Sequence, residues 1–364
     1  MKIDRVDVIH TAIPLKSSFR TSFGAISAQH SVVTKVYSEG LVAYGEACPF
    51  LAPIYSYECV GSVQTVLGSF IIPSVLGKEI AGPEDFMDRV GFIKGNNHAK
   101  AALESAIWGL RAKIEGRPLW QVLGGTNPKV DVGVSIGMQP SIEALLKKID
   151  GYLQEGYRRI KIKIEPSEDI ELIRAVRKEF PDIVFMVDAN SSYKLTDIDF
   201  LKRLDDFNLL MIEQPLGEDD IVDHAQLQSQ VKSSICLDES IHTVDDARKA
   251  IRIGSCRIIN IKYGRVGGLL NSVRIHDLCR GAGVGNWIGG MIETGIGQVI
   301  KTALGTLDNF VYAADIETSD RFVVEDVITP DLSQTDGYLD ASFEYQVDEE
   351  KLNKYTAEVS IFKA

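Results

Sequence analysis

Apolar and polar positions exchange every residue along VDVIHTAIPL and SVVTKVYSEGLVAYGEA. That period predicts strands with one face on a core and one toward water, joined as a meander with Glu39-Gly40 as its turn. The stretches SFRTSFG (18–24) and CPFLAPIYSYE (48–58), rich in Ser, Pro and aromatics, predict loops. NHAKAALESAIWGLRAKIEG changes the period. Ala102, Ala106, Leu110 and Ile114 recur four apart on one helical face, and Gly116-Arg117-Pro118 stops the helix.

From about Lys129 the pattern becomes a strand–helix alternation. VDVGVSIG, RRIKIKIE, IVFMVDAN, LLMIEQP, SICLDES, RIINIKYG, VGNWIGG and FVYAADIE read as strands. Between most of them lies an amphipathic helix such as SEDIELIRAVRKEF, with Ile170, Ile173, Val176 and Phe180 on one side. Such βαβ repeats imply a parallel sheet, and this many of them predict an α/β barrel. A doubly wound open sheet is the lesser alternative, because no Gly-rich phosphate fingerprint follows a first strand. After Pro330 the alternation is lost. Residues 1–125 are therefore expected to form one α+β domain, 126–329 the barrel, and the tail 330–364 to pack back on the first domain.

One strand breaks the apolar rule. In YRRIKIKIEP, Ile160, Ile162 and Ile164 share a face and Lys161 and Lys163 share the other. An edge strand with a wet lysine face would account for it. The other strands point elsewhere. Lys163, Asp188, Glu213, Asp238 and Lys262 follow one another at intervals of 25, 25, 25 and 24 residues, each at the expected end of a strand. Barrel enzymes carry their chemistry at those ends, so three carboxylates flanked by lysines converge on one mouth. Taken singly, a strand-terminal Asp is more often a helix cap or an Asx-turn than a ligand. Gathered together, the carboxylates repel one another unless a cation sits among them. Oxygen ligands alone favour Mg²⁺, with Mn²⁺ tolerated. None of the 6 histidines falls at a strand end, which disfavours a zinc hydrolase.

A substrate carboxylate on such a metal would gain negative charge as an α-proton leaves, and the metal would stabilise that enediolate. The proton needs a base. Lysine serves only if its pKa falls toward neutrality, and a neighbouring ammonium plus burial predicts that fall for the Lys161/Lys163 pair.

Composition adds exclusions. Of 364 residues, 45% are hydrophobic and 25% charged, an ordinary globular balance, and the net charge of -12 argues against nucleic acid or an anionic membrane as partner. The 5 cysteines are scattered without a CxxC pair, which suggests reduced thiols and the cytoplasm. MKIDRVDVIHTAIPL lacks a signal-peptide core, and no apolar run approaches the ~20 residues of a membrane helix.

KIKIEP, VDAN, MIEQPLGEDD, CLDESI and NIKYGRVGG together resemble the muconate-lactonizing-enzyme subgroup of the enolase superfamily, along nearly the whole chain. Within it, FRTSFG, GVSIG, DHAQLQ, ICLDESI, GGMIETGIG and DRFVVEDVITP are most similar to the o-succinylbenzoate synthase/N-acylamino acid racemase family. The resemblance implies a modified TIM barrel of (β/α)7β type, capped by an α+β domain that the C-terminal tail completes. It implies Asp188, Glu213 and Asp238 as Mg²⁺ ligands and Lys163 and Lys262 as the acid/base pair, with Lys161 beside them touching the substrate carboxylate. Asn190 and Glu239 would support the metal ligands. Ser135, Gly290, Met291, Ile292 and Glu293 match segments of the substrate pocket. Phe19, Ser22, Phe23 and Tyr55 belong to loops resembling the family's lid, for which ordinary surface turns are the plain alternative.

Tyr263 stands where relatives usually have proline, and Ile288 replaces a more usual Cys, which bears on pocket shape. Arg265, three residues after Lys262, is a feature of family members that racemise N-acylamino acids. The implied activities are a syn-dehydration giving o-succinylbenzoate in menaquinone biosynthesis, or racemisation of N-succinylamino acids by opposed lysines. Dipeptide epimerase, muconate cycloisomerase and a non-catalytic binding barrel are more distant. The expected partner is a small carboxylate substrate, and a homo-oligomer is expected.

Overall fold

The structure is a computed structural model that describes residues 1–21, 24–166 and 169–364. The alternating N-terminal segments form β1 (Arg5–Thr21), β2 (Gly24–Ser38) and β3 (Leu41–Ala47), an antiparallel meander. Glu39 and Gly40 have φ of 51° and 85°, the left-handed pair that a two-residue hairpin turn requires. Residues 18–21 were expected to be loop and are strand. Pairing of β1 with β2 lapses after Pro14↔Ala28 and resumes from Phe19↔Ile26, because ladder hydrogen bonds do not depend on an apolar pattern.

Five helices follow: α1 (Val60–Val66), α2 (Ile72–Val75), α3 (Pro83–Arg89), α4 (Asn97–Glu115) and α5 (Leu119–Val122). Helix α4 lies on the meander and buries Ala102, Leu103, Ala106 and Leu110 against Val6, Val32 and Val36. Ile114, expected on that face, is exposed because the helix outruns the sheet by a turn.

Next come β4 (Lys129–Asp131), β5 (Val134–Ile136), α6 (Ile142–Gln154), β6 (Ile160–Lys163), α7 (Asp169–Glu179), β7 (Phe185–Asp188) and α8 (Ile198–Arg203). They are followed by β8 (Ile212–Glu213), α9 (Val222–Gln228), β9 (Ile235–Leu237), α10 (Val244–Ile253), β10 (Ile258–Ile261), α11 (Leu269–Ala282), β11 (Gly285–Ile288) and α12 (Gly295–Leu304). Strands β5 to β11 form one parallel sheet in chain order, the curled sheet of a barrel.

The first expected barrel strand is split at Gly133. A β-carbon there would lie 2.5 Å from Arg159 Nε, so the guanidinium takes the space a side chain would need. The eighth expected strand, 310–317, pairs only through single bridges, Val132↔Ala314 and Asn286↔Phe310. Gly133 N donates to Ala314 O and Asp315 N to Ile288 O, so this segment closes the gap between β5 and β11 one bond at a time.

Four strands and one short helix complete the chain: β12 (Ile328–Thr329), β13 (Tyr338–Asp340), β14 (Gln346–Val347), α13 (Glu349–Lys354) and β15 (Thr356–Lys363). β15 pairs antiparallel with β1 and extends the meander to the order β15-β1-β2-β3. Among the described residues no helix is long and apolar enough to cross a membrane.

Candidate active site

The period of two along each strand places the charged ends. Met186, Met211, Cys236, Ile258 and Trp287 make a small buried cluster of their own. Two residues beyond Met186, Met211 and Cys236, on the same strand face, stand Asp188, Glu213 and Asp238; four beyond Ile258 stands Lys262. The rim thus sits one pleat above an apolar plug. The register is level over three strand ends, Lys163 with Asp188 and Asp188 with Glu213, and then steps, since Cys236 pairs with Glu213 and with Ile258. Asp238 stands two residues and Lys262 four residues beyond that level on their strands. Strand β6 lies between β5 and β7, which removes the edge-strand reading of its lysines.

Each ammonium lies against a carboxylate. Lys163 Nζ donates to Asp188 Oδ2 at 2.7 Å and to Asn190 Oδ1 at 2.5 Å. Lys262 Nζ is 2.9 Å from Asp238 Oδ2 and 2.6 Å from the Tyr55 hydroxyl, which also donates to Asp238 at 3.1 Å. Arg265 pairs with the other oxygen of Asp238. Lys161 Nζ is 3.0 Å from Glu213, 3.3 Å from Asp188 and 3.3 Å from Asp315, and lies 4.8 Å from the centre of the Trp287 ring. Burial pulls the Lys161 pKa down, but Glu213, Asp315 and Asp188 outweigh it and hold the group well above its ordinary value. Lys161 is therefore a fixed cation here, two positions before Lys163 on the same strand face.

The acids divide. Asp238 is held low by Arg265 and Lys262 and Asp188 by Lys163 and Lys161, both against burial. Burial and the charge of Asp188 push Glu213 up, and burial and the charge of Asp238 push Glu239 up. A site that keeps all of them ionised gains from a further cation. Three adjacent carboxylates, with Glu239 Oε2 buried nearby and without a hydrogen-bond partner among the described residues, fit a hard divalent ion. Among the described residues no three His, Cys, Asp or Glu side chains stand as a preassembled ligand cluster. Lysine ammonium groups lie against the carboxylates instead.

A cavity of about 80 Å³ opens over this rim. Lys161, Lys163, Asp188, Asn190, Lys262 and Ser135 line it, as do Tyr55, Gly290, Met291 and Ile292. Ile292 has φ 63°, which is rare for a β-branched residue; Cys48 Sγ donates to the carbonyls of Met291 and Ile292 and supports the bend. Glu293 turns away and accepts from Met291 N and Lys301 Nζ. Glu239 and Arg265 line a smaller neighbouring cavity with Tyr55. Glu213 and Asp238 lie among the charged groups, fully buried. Phe19 is a position on β1, and Ser22 and Phe23 lie outside the described residues. Neither Tyr263 nor Ile288 lines the cavity. Tyr263 donates its hydroxyl to Glu46 O, and Ile288 is core.

Phe50, at the start of the expected Phe50–Tyr55 lid loop, also lines the cavity, and so do Asp315, Glu317 and Phe322, which the sequence reading missed. Asp315 accepts from the Ser135 hydroxyl and pairs with Lys161. Its signal was the acid ending the eighth candidate strand, obscured because β11 ends on Ile288 and interrupts the charged register.

A capped, curled parallel sheet with lysines and carboxylates gathered at its strand ends has the architecture of a barrel enzyme acting on a small molecule. A family model described as "Enolase C-terminal domain-like" matches residues 144–344, and one described as "Mandelate racemase / muconate lactonizing enzyme, N-terminal domain" matches residues 3–124. The chain belongs to the enolase superfamily, in its muconate-lactonizing-enzyme subgroup. It is 47% identical to an o-succinylbenzoate synthase of Geobacillus stearothermophilus, over 100% of this chain and 98% of that protein. It is 42% identical to an N-succinylamino acid racemase of Thermus thermophilus, over 93% and 92%. A crystal structure of an enolase-superfamily member from Listeria innocua superposes with a TM-score of 0.97 at 39% identity, covering 100% of this chain and 99% of that one. Enzymes of this superfamily use Mg²⁺.

Proposed function

We propose that this enzyme is an o-succinylbenzoate synthase that removes water from 2-succinyl-6-hydroxy-2,4-cyclohexadiene-1-carboxylate. The full-length likeness to o-succinylbenzoate synthases at up to 47% identity carries this reading. Asp188, Glu213 and Asp238 would hold Mg²⁺, or Mn²⁺ in its place, which when bound supplies positive charge for the substrate carboxylate. Lys161, a fixed cation beside Glu213 and Asp188, orients the same carboxylate. Lys163 in its neutral form takes the ring α-proton and returns it to the departing hydroxyl on the same face, so that water leaves and the ring becomes aromatic. Lys262, just past the end of β10 and four strands away, stabilises the developing charge. The pocket wall of Met291, Ile292, Phe50 and Phe322 keeps water from the reacting carbon.

A second reading has its own support. Arg265 pairs with Asp238 beside Lys262, and that arginine marks family members that racemise N-acylamino acids. In that reaction Lys163 and Lys262 act from opposite faces, one taking the α-proton and the other supplying its replacement. The unbonded cysteines suit a cytoplasmic enzyme, and we propose a homo-oligomer by family likeness. Steady-state kinetics on the cyclohexadiene substrate and on N-succinyl-phenylalanine, side by side, test both readings. Dehydration with the higher kcat/KM supports the first; racemisation alone overturns it; turnover of neither overturns both.

A further inference from the structure

Phe322 forms part of the pocket wall, and the residue before it accounts for how it is held. The Arg321 side chain is 8% exposed; Nη1 pairs with Glu317, itself a lining residue, and Nη2 donates to Ser135 O on β5 at 2.7 Å. Its guanidinium carbon lies 4.8 Å from the Phe322 ring centre and 5.1 Å from that of Tyr152. Glu317 is anchored in turn, since its backbone N–H donates to the Gln298 side chain on α12 at 3.0 Å.

The same segment is tied to the cap. Lys16 N donates to Phe322 O at 2.7 Å, Val324 N to Pro14 O at 3.1 Å, and Leu15 bridges antiparallel to Val323. These bonds fall where β1 and β2 lose their mutual pairing, so the stem of the β1–β2 hairpin finds its partner in residues 322–324. Barrel rim and hairpin stem thus share one short strap, and Arg321 fastens it to the rim.

We infer that Arg321, through its pair with Glu317, is a positioning residue that fixes Phe322 as a pocket wall and the hairpin stem beside it, and so sets substrate affinity rather than the rate of the chemical step. Its kinetic arm rests on the functional reading above; its exchange arm does not. The variants are Arg321→Met, which keeps the apolar stem, Arg321→Lys, Glu317→Gln and the double Glu317→Gln/Arg321→Met. In Arg321→Met, KM for the cyclohexadiene substrate rises about tenfold while kcat stays within about threefold. The double variant is no worse than Arg321→Met, because the two groups act as a pair. Hydrogen exchange at the Lys16 and Val324 amides quickens about tenfold or more in Arg321→Met. Arg321→Lys, which keeps the charge without the fork, falls between. An unchanged KM, a loss confined to kcat, additive effects in the double variant, or unaltered exchange at those two amides would each overturn the inference. A wild type inactive on the substrate defeats the functional reading alone, since the exchange arm still decides. If Arg321→Met does not fold, Arg321→Lys and Glu317→Gln carry both arms.

Discussion

The carboxylate of Glu104 occupies the space that a β-carbon on Gly268 would need: that carbon would lie 2.5 Å from Oε2. Glu104 is on the cap helix α4, and its oxygens accept the Leu269 and Leu270 N–H groups at 2.8 Å each. It thereby caps the barrel helix α11, which has no side-chain cap of its own. Glu46, at the end of β3, does the same for α12 through Thr294 and Gly297. Two buried carboxylates of the cap therefore terminate two barrel helices. Gly268→Ala is expected to cost about 2–4 kcal/mol, from the clash and from φ 120° at a residue with a β-carbon. Glu104→Ala should cost a similar amount by leaving buried N–H groups unpaired. Urea unfolding of both variants measures it; losses under ~0.5 kcal/mol would refute the capping role.

Glu46 makes stability depend on pH. Burial pushes it from an ordinary 4.5 up to about 7, against the hydrogen bonds from Thr294. A carboxyl with a raised folded pKa holds its proton longer in the folded state. Its contribution is complete below pH 4.5 and is lost as pH rises through 7. The full swing is about 3 kcal/mol. Glu46→Gln does not titrate, so the stability difference between wild type and this variant should fall by that order from pH 4.5 to 8. A flat difference would mean that Glu46 titrates normally.

Lys163→Ala and Lys262→Ala should each lower dehydration turnover by at least about 10²-fold, the worth of a positioned proton-transfer group. Both side chains stand at the rim with one face on the cavity, so the fold should persist by circular dichroism, with an unfolding midpoint lowered because Asp188 or Asp238 loses a buried ion-pair partner. A variant retaining near-full turnover removes that lysine from the mechanism.

Much of this rim was legible before any coordinates, for a geometric reason. A strand, a helix and two loops occupy a nearly constant length, so Lys163, Asp188, Glu213, Asp238 and Lys262 recur at nearly equal spacing and gather at one mouth, although the ladder steps after Glu213 and sets Asp238 and Lys262 further along their strands. Interactions set by tertiary approach left no such trace. The capping of α11 by Glu104 spans 165 residues, and neither partner has a periodic signature. Asp315 belongs to a segment paired bond by bond rather than as a ladder, which pattern alone reads as an ordinary strand. The charge state of Lys161 depended on which acids surround it, and sequence supplied only the neighbouring lysine. Tyr263 was legible as unusual, but its direction, toward Glu46 and away from the cavity, follows from the packing of cap on barrel.

Metal removal offers a test that does not rest on turnover alone. Three carboxylates on adjacent strands are compensated by Lys161, Lys163, Lys262 and Arg265, and burial still drives Glu213 and Glu239 toward their neutral forms. A divalent ion bound there favours ionised ligands and binds the folded chain only, so it must raise stability by mass action. The gain is about 2.7 kcal/mol at a hundredfold excess over Kd. Dialysis against EDTA should therefore abolish dehydration and lower the unfolding midpoint, and Mg²⁺ or Mn²⁺ should restore both. Asp238→Asn should retain a midpoint that no longer responds to Mg²⁺, because it removes a ligand while leaving a hydrogen-bonding side chain beside Lys262. Activity indifferent to chelation, or an Asp238→Asn midpoint that still rises normally with Mg²⁺, would exclude these carboxylates as the metal site.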